Sequence, residues 1–180
     1  MRTRACFAGY TLLEILIAVV LLALGILGGV ALQMAALLSQ ATQLATGMAE
    51  HMRANAGQMR LGDGDNPYLT LNYDALAEPR PTAPAALCHG GACSGGQLAL
   101  ADLYEAKMLV QKNLPAGRVT ICRDAGLWSG GKLRWQCGGG SNAPLVIKVG
   151  WRGKNPDGTP RTDEAGEDMP GVALVVGAMR

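Results

Sequence analysis

An apolar run with no charged and no hydrogen-bonding side chain extends from Ile15 to Leu32. As a helix, these 18 residues cover about 27 Å at ~1.5 Å per residue, close to the ~30 Å of bilayer hydrocarbon. Leu12 and Leu13 stand in front, and Ala35 to Leu38 follow Gln33 and Met34, so the stretch can cross a bilayer with some tilt. Glu14 stands at its head. A carboxylate at the lip of a membrane helix is costly and demands a partner. The plainer alternative is that Glu14 snorkels to the headgroups.

Arg2 and Arg4 precede the run, so the N-terminus is expected in the cytoplasm and everything after the helix outside it. An ordinary secretory signal would have an apolar region of about 7–15 residues before a small-residue cleavage site. Here the run is longer and continues into more helix, which favours retention. Cysteine usage agrees with export. Cys88, Cys93, Cys122 and Cys137 follow the run, an even set that reads as two disulfides with three possible connectivities. A hairpin centred near Ser129-Gly130 would bring Cys122 and Cys137 to matching strand ends, so the expected pairs are Cys88–Cys93 and Cys122–Cys137. His89 beside Cys88 invites a zinc reading, but the spacing of the later pair is wrong for a zinc knuckle and the compartment is oxidising. No metal and no cofactor is expected.

Past Leu32 the helical period continues: Leu37, Ala41, Leu44, Met48 and Met52 form one apolar stripe, with Gln40, Gln43, Glu50 and Arg53 off it. One helix is expected from about Tyr10 to about Met59, half in the membrane and half amphipathic. Leu61-Gly62-Asp63-Gly64-Asp65-Asn66-Pro67 breaks it. Asp63 and Asp65 lack the further oxygens of a calcium loop and read as turn residues. Residues 61–97, rich in Gly, Pro, Ala and Asp, read as a long irregular loop. A short helix is expected over Leu98–Lys112, with Asp102 near its start. Four strands follow, at 118–122, 132–137, 145–151 and 172–176, and their short links suggest antiparallel pairing. The stretch from Gly153 to Pro170 is a polar, acidic surface loop or a partner-binding edge. Aromatic content is only 4%, so the core rests on aliphatics and on Trp128, Trp135 and Trp151.

Enzyme signatures are scarce. His51 and His89 are the two histidines, and neither sits in a triad, metalloprotease or phosphate-loop pattern. Asp163, Glu164, Glu167 and Asp168 fall in a Gly-rich stretch with no apolar surroundings to raise a pKa, and read as a solvated charge run. A formal charge of +2 without a concentrated basic patch does not describe a nucleic-acid-binding protein.

A short basic leader ending in Gly9, then Tyr10-Thr11-Leu12-Leu13-Glu14 and an apolar helix, resembles the processing site of type IV pilins and related pseudopilins. That resemblance implies cleavage by a prepilin peptidase between Gly9 and Tyr10 and N-methylation of Tyr10. Glu14 would then be the assembly residue, neutralising the new amine of a neighbouring subunit. Tyr10 departs from the usual phenylalanine. Cys6, Arg2 and Arg4 would leave with the leader, balancing basic and acidic side chains at 14 each. Gly25, Gly28 and Gly29 then have two readings, close helix packing or local unwinding in a fibre. Met48 to Asn55, Leu114 to Cys122 and Ile147 to Trp151 resemble the PilV group of minor pilins, although that group more often has Asp-Arg at Glu50-His51.

The resulting expectation is an α+β, pilin-like fold. Residues 1–9 form the leader, 10–60 the N-terminal helix with a membrane half at about 10–38, and 61–180 a disulfide-containing soluble domain with about four strands. The resemblance implies a minor pilin, not an enzyme, acting in initiation of pilus assembly and at the tip. Implied partners are the prepilin peptidase, other minor pilins, the major pilin, the assembly platform and a tip adhesin. The implied location is the inner membrane with a periplasmic domain, and then the extracellular fibre. A type II secretion pseudopilin shares the N-terminal logic, and a signal-anchored periplasmic enzyme is the competing reading of another class.

Overall fold

The computed structural model describes residues 11–56, 66–154, 159–162 and 166–177. By contacts the chain divides into two units, residues 1–35 and residues 36–180. Helix α1 (Leu12–Ala56) contributes to both. In the first unit its Leu, Ile and Val side chains are exposed, and none of its most apolar window is buried within the chain. This helix is long and apolar enough to serve as a single membrane-spanning anchor.

The second unit is built on the rest of α1. Ala41, Ala45, Met48, Ala49 and Met52 are buried, at the three- and four-residue steps that line up on one helix face. Three of them are alanines, so the backbone approaches its neighbours closely. Leu37 and Leu44, expected on the stripe, are only half-buried. A 3-10 turn (Pro67–Thr70) and strand β1 (Asn72–Asp74) come next. Helix α2 (Gly95–Asn113) starts on a capping box in which Ser94 accepts from the Gln97 backbone and Gln97 accepts from the Ser94 backbone. It buries Ala99, Leu103, Ala106 and Val110. After it, Gly117 is obligatory, because a Cβ there would lie 2.7 Å from both Val110 Cγ1 and Leu114 Cβ.

Strands β2 (Arg118–Arg123), β3 (Trp128–Ser129), β4 (Lys132–Leu133), β5 (Leu145–Gly150) and β6 (Pro170–Gly177) complete the chain. One sheet has the order β1-β2-β5-β6, and every neighbouring pair is antiparallel. β3 and β4 form a separate two-stranded ribbon. The fold is thus α+β and pilin-like, with four antiparallel strands and the second half of α1 beside them. Two expectations are corrected. The segment expected as irregular over 61–97 supplies the edge strand β1. The strand expected at 132–137 does not enter the main sheet, since only Lys132 and Leu133 pair, and they pair with β3. β1 is three residues long, too short to show an alternating pattern.

All of β5 is buried, because both faces of the sheet are covered. One face carries Tyr73, Val119, Ile121, Leu145, Ile147 and Val149, aligned by the strand register, and turns to the helices: Lys107 of α2 lies 5.6 Å from the Tyr73 ring centroid. The helices are joined by a polar knot. His51 of α1 meets Asp102 of α2 at 2.9 Å, Tyr68 donates to the same carboxylate at 2.6 Å, and Asn55 donates to the Tyr68 hydroxyl at 3.1 Å. Burial comes first among the causes that push the Tyr68 phenol far above its ordinary value, so it stays a donor. The other face, with Thr120, Cys122, Val146 and Lys148, lies under the connection from Asp124 to Pro144. Of the three tryptophans, Trp135 and Trp151 are buried, whereas Trp128 is 64% exposed at the ribbon and is no core anchor.

Candidate functional site

Thr11 and Glu14 open α1. The Glu14 backbone N–H donates to the Thr11 hydroxyl at 3.3 Å and to the Thr11 carbonyl at 3.0 Å. Thr-x-x-Glu has the spacing of a capping box, and the structure contains the half of it that runs from Glu14 N–H to Thr11. The Glu14 carboxylate lies in the first helical turn, where the positive end of the helix dipole favours an anion. That local role was readable in Thr11-Leu12-Leu13-Glu14 and was missed. The expected processing residues Gly9 and Tyr10, like Cys6, Asp63 and Asp65, lie outside the described residues.

The cysteines are joined as Cys88–Cys93 and Cys122–Cys137, with Cα–Cα distances of 5.9 and 6.2 Å. Cys88–Cys93 closes a loop of exposed residues just before the Ser94 cap, and Cys88 sits at φ 58°, a left-handed conformation unusual for a residue with a side chain. His89 in that loop reaches 3.6 Å from Glu105 of α2. The second bridge is not the hairpin cross-link expected from sequence. Cys122 belongs to β2 and Cys137 lies beyond the ribbon, so the bond ties the covering connection to the main sheet. The ribbon itself turns through Gly130 and Gly131 at φ 56° and 77°, the two positive values a tight hairpin turn requires.

Beneath that connection lies a buried ion pair. Lys148 Nζ and Asp124 Oδ2 are 2.6 Å apart, and both side chains are 0% exposed. The ammonium also donates to the carbonyls of Arg134 and Gln136, each at 2.9 Å. Asp124 Oδ1 accepts from the backbone of Gly126 and Gly138 and from Arg134. Burial works to raise the Asp124 pKa, but the hydrogen bonds from Lys148, Gly126 and Gly138 outweigh it and hold the carboxyl below its ordinary value. Sequence reasoning passed over Lys148 as one residue of a strand. Its signal was a lone cation within Leu145-Val146-Ile147-Lys148-Val149, in a strand otherwise apolar on both faces.

At the end of the sheet, Arg152 grips Asp74 through two hydrogen bonds of 3.0 and 2.8 Å and Asp168 through a third of 2.7 Å. The bonds from Arg152 come first among the causes that hold Asp74 below its usual range. Asp168 is therefore not a solvated charge, as expected from its sequence context; its carbonyl also accepts from the Trp135 indole. Asp163 and Glu164 lie outside the described residues, and Glu167 comes within 4.0 Å of Arg118. Among the described residues no group of three or more His, Cys, Asp or Glu is placed to hold a metal ion. The arrangement is one of covalent and ionic clamps within the second unit.

Residues 4–30 match the family model described as Prokaryotic N-terminal methylation motif. The chain thus carries a prepilin methylation motif at the head of its apolar helix, which implies a processing machinery such as a prepilin peptidase. No curated protein and no solved structure matches the chain. The matched segment contains Thr11, Glu14 and most of the apolar run, the part of the molecule whose chemistry is that of processing and membrane anchoring.

Proposed function

We propose that the chain is a minor type IV pilin of the PilV kind, a membrane-held prepilin that becomes a fibre subunit. The observation that carries this reading is the methylation motif set directly against an exposed apolar helix whose first turn holds Glu14. On this reading residues 1–9 are a leader, the membrane half of the helix covers about 10–38, and prepilin peptidase cuts after Gly9 and methylates Tyr10. The domain waits in the periplasm, with the N-terminus in the cytoplasm. The subunit then joins other minor pilins, the major pilin and the assembly platform, initiating the fibre and standing near its tip with an adhesin.

In the membrane the Glu14 charge is costly. In the fibre it meets the Tyr10 amine of an adjacent subunit, which offsets that cost. Intact-mass analysis of the protein from a strain with its prepilin peptidase is expected to give a chain starting at methylated Tyr10. A chain beginning at Met1, or cut after the apolar run, overturns the reading and favours a signal-anchored protein of another class. Glu14→Ala is expected to lower recovery in sheared pili at equal membrane abundance, with Glu14→Asp rescuing in part. Glu14→Gln separates the two roles of the carboxylate, because Gln fills the third position of a capping box as Glu does. Normal incorporation of Glu14→Gln would leave helix capping as its role. Recovery only from a secretion pseudopilus, and not from pili, would assign the chain to type II secretion.

A further inference from the structure

We propose that Cys88–Cys93 is a thiol-exchange site, opened by a small thiol or a dithiol while Cys122–Cys137 stays closed. The two bridges differ in what the fold does for them. A disulfide is stabilised by a fold to the extent that the fold holds its two thiols together once the bond is broken. Cys122 is fixed in β2, opposite Val146 of β5. Cys137 is itself exposed, but its backbone is held from both sides, since the Gln136 carbonyl accepts from the buried Lys148 ammonium and the Gly138 N–H donates to Asp124. After reduction those contacts remain, the thiols stay adjacent, and the bond re-forms. Cys93 is held on one side only, by the bonded Ser94 cap that follows it, and Cys88 has no such frame. The residues between Cys88 and Cys93 are exposed, and His89 lies 3.6 Å from Glu105, the two side chains being 68% and 45% exposed. Cys88 sits at φ 58° in the closed loop, a left-handed conformation unfavourable for a side-chain-bearing residue, which opening allows to relax.

The same geometry gives the exchange a direction. Cys93 immediately precedes the Ser94 cap of α2, where the positive end of the helix dipole stabilises a thiolate. Cys93 is therefore the better leaving group. An incoming thiolate attacks Cys88 Sγ, a new S–S bond forms between the reagent and Cys88, and the Cys88–Cys93 bond breaks with its electron pair on Cys93. A second thiolate then attacks the reagent sulfur of the mixed disulfide. The reagent leaves as its own disulfide, oxidised by two electrons, and Cys88 and Cys93 are left as thiols. The consequence is local: the loop is released from Glu105, while the Ser94–Gln97 capping box keeps α2 started.

The test uses the full chain in detergent, titrated with dithiothreitol and trapped by differential alkylation and mass mapping. Cys88 and Cys93 are expected to be alkylated at roughly tenfold lower reductant than Cys122 and Cys137. Brief exposure to glutathione should place the adduct on Cys88. The double variant Cys88→Ser with Cys93→Ser should melt within a few degrees of wild type. Opening of Cys122–Cys137 first, or of both bridges together, overturns the proposal. An adduct on Cys93 overturns its direction. A large loss of stability in the double variant would show that the fold does frame this bridge, and would overturn the proposal as well.

Discussion

The two faces of the sheet are covered in different ways. Toward α1 and α2 the strands present Val119, Ile121, Leu145, Ile147 and Val149, and the covering helices answer with alanine, methionine and leucine. Toward the 124–144 connection the same strands present Thr120, Cys122, Val146 and Lys148, and the cover answers with a carboxylate, three carbonyls, a cysteine and the buried Trp135. The first face is held by area and shape, and tolerates small losses. The second is held by few groups with high individual stakes, because a charge in a dry interior is stable only while its partner stays. A helix can be applied to a sheet by apolar contact alone. An irregular connection has no repeating apolar stripe, and here it adds fixed points to the one large side chain it buries, Trp135.

The largest break in this comparison is Lys148→Ala. It leaves Asp124 buried without its countercharge and is expected to cost about 3–5 kcal/mol, read as a drop in urea midpoint by tryptophan fluorescence. Ile147→Val, one residue away on the helix face, should cost only about 1 kcal/mol. A loss under ~1 kcal/mol for Lys148→Ala would mean that the two faces do not differ in kind. Acid provides a graded version of the same break. Asp124 and Asp74 both have folded pKa values below the ordinary aspartate value of 3.8. Their contribution is therefore complete above that value and is lost as pH falls through the folded values. The urea midpoint should fall below about pH 4, and Asp124→Asn or Asp74→Asn should each flatten that acid limb. On the helix face, Met52→Ala removes a fully buried side chain and is expected to cost about 2–4 kcal/mol with no change in the acid limb. The smallest effect is Ser94→Ala, which removes one half of the α2 capping box at an expected cost of about 1 kcal/mol. Amide exchange confined to the first turn of α2 would check it.

Legibility in the sequence followed the same division. The apolar run, the stripe through Ala41, Met48 and Met52, the body of α2 and three of the four sheet strands all bury side chains at regular intervals, and regular intervals are what a sequence displays. The connection that covers the other face has no period. Its order comes from Asp124 reaching two backbone N–H groups and Lys148 reaching carbonyls, and a carbonyl is the same at every residue. Strand β1 was missed because three residues carry no alternation, and its partner lies 48 residues away at Thr120. Arg152 and Asp74 are 78 residues apart in the chain, so nothing local marks them as a pair. At the N-terminus, Thr11 and Glu14 stand close enough in the chain for their capping relation to be read directly from the Thr-x-x-Glu spacing.

The Lys148 ammonium grips the covering connection by main-chain oxygens of Arg134 and Gln136. The contact thus recognises the path of the chain and is indifferent to which residues travel along it. Gln136 and Trp128 are exposed, so the outer surface of this connection can be rewritten at these positions without loosening its anchorage. A lineage under pressure to change what its exterior displays would find here a region free to vary, fastened from below by a lysine that is not.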